Sequence, residues 1–231
     1  VILVIERRPP AARLSAAEQG LQRNAVHSVR DLNAGGVDVV DIGLCGTEEV
    51  YHATFSQGFD GGIMITASHL PFEYNGLKFF TKTGGAEHED IEAILEYAYE
   101  IPEAFAEEEQ TAVVTEMDLL STYAADLQKK IRKGIASAEN PEKPLTGRHI
   151  IVDAGNGAGG FFVERVLQPL GADTSGSQFL DPDGTFPNHV PNPDNKAAMK
   201  SIQDAVIANK ADLGIIFDTD VDRSAIVDSD G

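Results

Sequence analysis

Short apolar runs alternate with longer amphipathic stretches along the whole chain, and few classes of fold are compatible with this alternation. It is typical of α/β units, in which a helix returns the chain from one buried strand to the next, parallel one. We therefore predict an α/β protein. The expected strands lie near residues 1–5, 37–43, 62–67, 77–80, 149–153, 173–179 and 212–217, and the expected helices near 15–34, 46–57, 87–101, 118–136, 158–169 and 196–209.

A polar segment separates two such patterns. Residues 137–144 contain two prolines among mostly polar side chains, a composition typical of a linker, and they follow the acidic stretch 107–109 and one predicted helix. We place a domain boundary close to residue 140, so that residues 1–140 form a first domain that ends in a linker helix and residues 141–231 form a second. The chain begins within a predicted strand and ends in turn-forming residues, so we expect further chain on both sides and an incomplete second domain.

Charge and composition exclude several classes of function. The 231 residues have a formal net charge of −19, and such an excess of carboxylates repels nucleic acids and acidic membranes, which bind through clusters of Lys and Arg. No apolar run approaches the roughly 20 residues that span a bilayer. A chain with a single cysteine, Cys45, cannot form an internal disulfide, which fits a reducing compartment. We therefore expect a soluble, cytoplasmic protein without nucleic-acid or membrane partners.

A hydroxyl group is expected at the end of one buried strand. The segment from Gly61 to Pro71 leads a predicted strand into a loop that contains Ser68 and His69. Open α/β sheets bind ligands at such carboxyl ends. Serine is a poor nucleophile without a base, a metal or hydrogen-bond donors, and the Gly-x-Ser-x-Gly elbow of hydrolases is absent from the sequence. Alone, the Ser-His pair also fits a purely structural turn.

A lysine follows the serine loop by ten residues. The dipeptide Asn75-Gly76 predicts a tight turn that folds the next short strand, with Lys78, back toward the serine. A solvated lysine on the surface is the alternative interpretation.

Three aspartates follow another buried strand. Asp218, Asp220 and Asp222 alternate with other residues at its end, and Arg223 comes next. Carboxylates crowded in this way repel one another unless a cation or Arg223 compensates them, although a solvated acidic turn is also compatible. Oxygen ligands favour Mg²⁺ over Ca²⁺ or Mn²⁺. An EF-hand is excluded, because Arg223 and Ser229 occupy the positions of its glycine and its bidentate glutamate.

Two further motifs allow other interpretations. Gly155-Asn-Gly157-Ala-Gly-Gly160 matches the G-x-G-x-x-G fingerprint of dinucleotide sites, with Asp173 at the spacing of a ribose contact, although glycines also permit close packing. Asp218 and Asp220 resemble the first motif of haloacid-dehalogenase-type phosphatases, in which the leading aspartate is the nucleophile. The other motifs of those enzymes lie downstream, and few residues follow Arg223, so this interpretation cannot be completed within the chain. It is kept as a rival.

Several segments taken together resemble the α-D-phosphohexomutase family in content and in order. They are Thr66-Ala-Ser-His-Leu-Pro71, Tyr74-Asn-Gly-Leu-Lys78, Val152-Asp-Ala-Gly-Asn-Gly-Ala-Gly159, Phe186-Pro-Asn-His-Val-Pro-Asn-Pro193 and Asp218-Thr-Asp-Val-Asp-Arg223. Two segments, Gly46-Thr-Glu-Glu-Val-Tyr51 and Phe186-Pro-Asn-His189, are most similar to the phosphomannomutase and phosphoglucomutase branch. The resemblance implies two successive three-layer α/β/α domains with mixed, largely parallel sheets, from a parent of four domains around a cleft.

The resemblance also implies an activity. Hexose 6-phosphate and hexose 1-phosphate would be interconverted through a phosphorylated Ser68, with hexose 1,6-bisphosphate as intermediate and activator. Lys78 matches the family's proton-transfer lysine, and His69 and Arg223 match positions that hold the phosphoserine and the substrate. The implied ligands of Mg²⁺ are an oxygen of phosphorylated Ser68 and the carboxylates of Asp218, Asp220 and Asp222. The partners are then a hexose phosphate and domains III and IV of the parent.

The sequence also departs from the family pattern. Leu70 stands where the family commonly has asparagine, and Thr219 and Val221 replace glycines of the metal loop, so we expect altered loop geometry. The family's N-terminal arginine loop, the sugar-reading loop of domain III and the phosphate-binding loop of domain IV are not found. Mannose, glucose and glucosamine therefore stay open as the hexose. We expect this chain by itself to bind metal weakly and to be inactive, and a truncated, non-catalytic mutase fragment is a third interpretation.

Overall fold

The computed structural model describes residues 32, 36–71, 74, 76–100, 113–135 and 139–231. The strand predicted near residues 1–5, nearly all of the helix predicted near 15–34 and the acidic stretch 107–109 lie outside the described residues. Among the described residues, the first part of the chain contains β1 (Val39–Asp41), α1 (Thr47–Ser56), β2 (Gly62–Ile65), β3 (Leu77–Thr81), β4 (Gly84–Gly85), α2 (His88–Glu100), β5 (Val114–Glu116) and α3 (Leu119–Gly134). The second part contains β6 (Ile150–Asp153), a 3₁₀ turn (Ala158–Gly160), a π-helical segment (Phe162–Leu167), α4 (Lys196–Asn209), β7 (Leu213–Phe217) and β8 (Ser224–Asp228).

The strands pair in mixed directions, as predicted. β1 is parallel to β5 and β6 is parallel to β7, whereas β2–β3, β3–β4 and β7–β8 are antiparallel. Antiparallel pairs thus make up a larger share of the described sheets than the sequence indicated. For β3–β4 and β7–β8 the reason is the short connection between the strands, because a parallel pair needs a crossover of about a dozen or more residues.

The second part of the chain is a three-layer unit. β6 is buried along its whole length, since both faces of the sheet are covered. On one face, Ile202 and Val206 of α4 pack against Ile151 and Ile216. The other face packs against the π-helical segment and against α3, through Val152, Val163, Val166, Phe217 and Ala124. Burial on both faces explains why β6 and β7 are near-continuous apolar runs.

Helix α3 contacts both cores. Leu119, at its start, packs with Val50 and Met64 of the first part. Further along the same helix, Ala124 belongs to the core of the second part, and Leu127 packs against that core. The domain boundary near residue 140 therefore stays a prediction, because the helix before it belongs to two cores. No helix in the described part of the chain has the length and apolar character needed to cross a membrane.

Two predicted elements differ from the structure. The strand expected at 173–179 is replaced by a turn, in which Gly176 has a φ of +87° and isolated bridges link Asp173 to His149 and Gln178 to Asp153. The helix expected at 158–169 is instead the 3₁₀ turn followed by the π-helical segment. A Cβ at Gly160 would overlap the carbonyl oxygen of Leu180, so the close approach of a neighbouring loop requires glycine where this segment begins.

Candidate active site

The serine loop begins where β2 ends. The hydroxyl of Thr66 accepts the N–H of Ser68 at 2.8 Å, and Ser68 has a φ of +52°, which is uncommon for a residue other than glycine. The N–H of Thr66 donates to the carbonyl oxygen of Gly76 at 3.0 Å, and a Cβ at Gly76 would lie 2.8 Å from the Thr66 oxygen. The conformation of the serine loop is thus fixed by local hydrogen bonds and by a close approach that requires glycine at position 76.

The β2–β3 pairing places Lys78 beside the serine loop. Met64 of β2 pairs with Lys78 of β3 in an antiparallel register. This agrees with the predicted return of the chain after Gly76. The register therefore positions the lysine from the same small sheet that ends in the serine loop.

The acidic loop, residues 218–223, connects the two strands of the β7–β8 hairpin. The N–H of Asp218 donates to the carbonyl oxygen of Arg223 at 3.1 Å, and the N–H of Arg223 donates to Asp218 Oδ1 at 3.1 Å. Val221 has a φ of +67°, which is strained for a β-branched side chain. The hairpin closure curls the backbone, so that carboxylate oxygens of Asp218, Asp220 and Asp222 lie within 4.8 Å of one another.

The two loops meet, although they are far apart in sequence. Ser68 Oγ donates to Asp218 Oδ2 at 3.3 Å and accepts from Arg223 Nη2 at 3.0 Å. Arg223 also donates to Asp218 Oδ2 from Nε at 3.0 Å and from Nη2 at 2.8 Å. Its Nη2 contacts Nδ1 of His69, which lies 3.4 Å from the serine oxygen. One guanidinium thereby connects the serine, the histidine and the first aspartate.

Lys78 contacts the other two aspartates. Its Nζ lies 2.7 Å from Asp220 Oδ2 and 2.6 Å from Asp222 Oδ2. Burial by itself would lower the pKa of Lys78, but the hydrogen bonds and charges of the two carboxylates outweigh burial and raise that pKa. The lysine is therefore a cation at neutral pH.

The carboxyl groups of the loop have different affinities for a proton. Burial, together with the charge of Asp220, raises the pKa of Asp218 to about 6. Burial would also raise the pKa of Asp220, but its hydrogen bonds with Lys78 and Thr47 lower that pKa below the usual value. The site thus contains three acidic groups, which the structure compensates with Arg223 on one side and with Lys78 on the other.

The loop has the character of a site for a hard cation. Asp220 is completely buried. Among the described residues, its Oδ1 and the hydroxyl of Thr219 are the buried side-chain oxygens without a hydrogen-bond partner. Leaving a carboxylate oxygen buried and unpaired is costly, and a cation would satisfy it. The donor set of three carboxylates therefore fits Mg²⁺.

The glycine-rich segment packs against its neighbours. A Cβ at Gly155 would lie 2.9 Å from Pro191, and a Cβ at Gly157 would lie 2.6 Å from the Thr219 carbonyl oxygen. The carboxylate of Asp173 accepts from Ser175. These contacts explain the glycines by close packing, which supports the interpretation of the segment as part of the fold.

The structure brings together the residues that the sequence singled out: Ser68, His69, Lys78, Asp218, Asp220, Asp222 and Arg223. Sequence reasoning missed Thr47, which is buried, donates its hydroxyl to Asp220 Oδ2 at 2.8 Å and lies 3.4 Å from the Lys78 ammonium. Two signals in the sequence pointed to this position without assigning it a role: its place at the start of the predicted helix near 46–57, and its place in the segment Gly46–Tyr51 that resembles the family.

Sequence comparison assigns the chain to a family. Residues 23–104 match the family model described as "Phosphoglucomutase/phosphomannomutase, alpha/beta/alpha domain I". Residues 121–231 match the model for domain II of the same family. The chain belongs to the phosphoglucomutase/phosphomannomutase family. The two α/β/α domains of this family agree with the predicted fold class.

Individual members of the phosphoglucomutase/phosphomannomutase family are similar over most of this chain. A phosphomannomutase of Salmonella typhimurium is 37% identical over 211 residues, which cover 87% of this chain and 44% of that protein. A phosphoglucomutase of Neisseria meningitidis serogroup B is 32% identical over 237 residues, which cover 96% of this chain and 48% of that protein. A crystal structure of a family member from Burkholderia thailandensis superposes with a TM-score of 0.73 at 28% identity, over 100% of this chain and 46% of that one. The chain thus spans about half the length of these relatives.

Proposed function

We propose that this chain is the part of a phosphohexomutase that holds the phosphoryl group during the interconversion of hexose 6-phosphate and hexose 1-phosphate. The observation that supports this proposal is the contact of Ser68 Oγ with Asp218 and Arg223, which joins the serine loop to the acidic loop. Phosphoryl transfer needs positioning and charge compensation more than covalent chemistry, and this junction supplies both.

The serine is proposed as the phosphoryl carrier. When its phosphoryl group moves to a sugar hydroxyl, the bond between phosphorus and Ser68 Oγ breaks as the bond to the sugar oxygen forms. The sugar hydroxyl loses its proton in this step and Ser68 Oγ gains one, so no net proton is consumed. Arg223, which now donates to Ser68 Oγ, would hold a phosphate oxygen, and His69 would contact the same group. Lys78 stays protonated at neutral pH, so it would act as the acid in the proton transfers of the reaction.

Asp218, Asp220 and Asp222 are proposed as ligands of Mg²⁺, together with an oxygen of phosphorylated Ser68. When bound, Mg²⁺ would compensate the negative charge on the transferring phosphoryl group. The protein's own groups would keep the ligands in place, with Arg223 on Asp218 and with Lys78 on Asp220 and Asp222.

The substrate and the partners follow from the relatives. These are named phosphomannomutase and phosphoglucomutase, so we propose mannose or glucose phosphates as substrates and hexose 1,6-bisphosphate as intermediate and activator. Residues 1–140 and 141–231 would be domains I and II, with domains III and IV in the remainder of the parent. The single cysteine supports our prediction of a cytoplasmic location.

The experiment that tests the serine is covalent labelling. The complete gene product is incubated with glucose 1,6-bisphosphate and Mg²⁺, and intact mass with peptide mapping then locates any phosphoryl group. We expect one phosphoryl group on Ser68, its loss in Ser68→Ala and its retention in Ser56→Ala, a control at an exposed serine. Absence of label on Ser68 in the unmodified protein would contradict the proposal.

The same variants distinguish the dehalogenase-type phosphatase. Such an enzyme would use Asp218 as nucleophile and would keep its phosphatase activity in Ser68→Ala, whereas Asp218→Asn would abolish it. The mutase proposal expects severe loss of mutase activity in both variants. In the structure, Asp218 Oδ2 already accepts hydrogen bonds from Ser68 and Arg223, an arrangement that favours the mutase.

A further inference from the structure

Thr47 connects the first helix to the acidic loop by two hydrogen bonds. It is the first residue of α1, and it is buried. Its N–H donates to the carbonyl oxygen of Asp220 at 2.8 Å, and its hydroxyl donates to Asp220 Oδ2 at 2.8 Å. The two residues are 173 positions apart. A single threonine therefore fixes both the backbone and the side chain of one aspartate.

The start of α1 is itself held in place. The side chain of Glu49 accepts the N–H of Gly46 at 3.0 Å, which ties the first turn of the helix to its own entry. A Cβ at Gly46 would lie 3.2 Å from Cβ of Val221 and 3.3 Å from the carbonyl oxygen of Asp220. The N-terminal end of α1 thus lies directly against the acidic loop, and the absence of a side chain at Gly46 permits this approach.

The direction of the Thr47 hydroxyl follows from its neighbours. Lys78 Nζ lies 3.4 Å from Thr47 Oγ1, and an ammonium group can donate hydrogen bonds but cannot accept one. An ionised carboxylate can only accept. The hydroxyl proton of Thr47 therefore points to Asp220, and its oxygen faces Lys78. Serine at this position can reproduce both contacts of the hydroxyl. Valine keeps the shape of the side chain but has no hydroxyl to make them.

The two oxygens of Asp220 have different surroundings. Oδ2 accepts from Thr47 and from Lys78. Oδ1 is buried and, within the described part of the chain, has no hydrogen-bond partner. Rotation of the carboxylate would exchange the two oxygens, and the bonds to Oδ2 oppose this rotation.

We propose that Thr47 is a positioning residue, which holds Asp220 through Oδ2 and leaves Oδ1 as the single oxygen that this carboxylate offers to a divalent cation. The inference deepens the proposed function, since it takes the acidic loop as the metal site. Under this inference, Thr47 of the first domain orients a metal ligand that belongs to the second domain. Hydrogen bonds to the ligands of a metal orient them, and their loss typically reduces metal affinity by about 10- to 100-fold.

The test measures metal affinity apart from turnover. The complete gene product and its variants are titrated with Mn²⁺, and free Mn²⁺ is followed by electron paramagnetic resonance. We expect Thr47→Val to weaken Mn²⁺ binding by about 10-fold or more and Thr47→Ser to restore it. Thr54→Val is the matched control, because Thr54 is a buried threonine of the same helix whose hydroxyl donates to the carbonyl oxygen of Tyr51 at 2.7 Å. It should bind Mn²⁺ as the unmodified protein does.

A double-mutant cycle excludes a general effect on folding. In an Asp220→Asn background, the additional change Thr47→Val should weaken Mn²⁺ binding no further, because the carboxylate that Thr47 holds is already lost. If Thr47→Val does not fold, as judged by thermal unfolding without metal, Thr47→Ala takes its place in the cycle.

Several outcomes would overturn the inference. They are unchanged Mn²⁺ affinity in Thr47→Val, equal weakening in Thr54→Val, failure of Thr47→Ser to restore binding, and additive losses in the cycle. Absence of Mn²⁺ binding to the unmodified protein would overturn it as well. The labelling of Ser68 is measured separately, so a failed proposed function is recognised by an unlabelled serine and a failed role of Thr47 by the titration.

Discussion

Ser68 Oγ lies 3.3 Å from Asp218 Oδ2, although 150 residues separate them. Each residue sits in the loop that follows a buried strand, and the two strands belong to different sheets. Arg223 contacts both side chains, so the serine hydroxyl lies between an acceptor and a cation. The contact explains how two polar loops form one site.

Replacement of Lys78 should raise the affinity for a metal ion and lower the turnover rate. In Lys78→Met, Asp220 and Asp222 lose the ammonium that lies 2.7 and 2.6 Å from them. Their affinity for a cation should then rise by about tenfold or more, because the removal of a competing positive charge outweighs the loss of the lysine hydrogen bonds, and Thr47 still holds Asp220 Oδ2. Turnover should fall by about 10²-fold or more, because a proton-transfer group is lost.

Mn²⁺ titration and a mutase assay on the complete gene product check the prediction for Lys78. Lys82→Met is the control, since Lys82 is an exposed lysine that pairs with Asp60. Weaker metal binding in Lys78→Met than in Lys82→Met would contradict it.

The fork of Arg223 should matter more than its charge. The guanidinium reaches Ser68 and Asp218 through Nη2 and Asp218 also through Nε, a geometry that lysine does not reproduce. We expect Arg223→Lys to slow phosphorylation of Ser68 by about 10²-fold. Quenched-flow labelling with glucose 1,6-bisphosphate measures this rate, with the exposed Arg165→Lys as control. Equal labelling rates in the two variants would show that charge alone is sufficient.

Buried Glu49 should reduce stability at high pH. Burial raises the pKa of Glu49 to about 7, against an ordinary value near 4.5. The folded protein therefore holds this proton more tightly than the unfolded chain, and stability falls as the pH rises from about 4.5 to about 7. Glu49→Gln keeps an acceptor for Gly46 and removes the charge, so at pH 8 it should raise the free energy of unfolding by about 1 to 3 kcal/mol.

Urea unfolding between pH 5 and pH 8 measures this effect of Glu49. The neighbouring Glu48 is exposed, which makes Glu48→Gln a matched control that should show no such gain. A gain in Glu49→Gln that is the same at both ends of the pH range would show that it does not come from ionisation.

The ion pair of His189 and Asp153 should stabilise the fold at low pH. Nε2 of His189 lies 3.0 Å from Asp153 Oδ1, and Nδ1 lies 2.9 Å from the carbonyl oxygen of Val190. Burial would lower the pKa of His189, but these two acceptors raise it. The contribution to stability is therefore complete below the unfolded pKa of about 6.5 and is lost as the pH rises through the folded value.

Thermal unfolding of the unmodified protein and of His189→Gln checks this prediction. The difference between their melting temperatures should be largest near pH 6 and should shrink toward pH 9. His88→Gln, at an exposed histidine of α2, should give no comparable difference. A difference that grows with pH would contradict a stabilising role of the protonated histidine.

Some elements were predictable because their signal is local. The strand at 213–217 is a continuous apolar run. The helix at 196–209 has an amphipathic pattern and is capped by Asn195, whose side chain accepts the N–H groups of Ala197 and Ala198. Such periodicity and capping depend on neighbours in sequence. Their bounds in the structure agree with those predicted within a residue.

Other elements were missed because distant residues form them. β4 and β5 have two and three residues, too few for a periodic signal, and they exist through pairing with β3 and β1. β8 follows the aspartates and pairs with β7 in a hairpin, and the sequence did not predict this strand. Residues 158–167 lie in close contact with Leu180 and Phe217, contacts that are not visible in the local pattern of the sequence.

The sequence by itself determined the fold class, the family resemblance and the chemical groups at the ends of two strands, because apolar periodicity and short motifs are properties of neighbouring residues. Only the tertiary structure decided how Ser68 and Asp218 meet, that Lys78 contacts Asp220 and Asp222, and that Thr47 holds Asp220. The physical reason is that hydrogen bonds and charge compensation depend on distances in space, and packing of distant elements sets those distances.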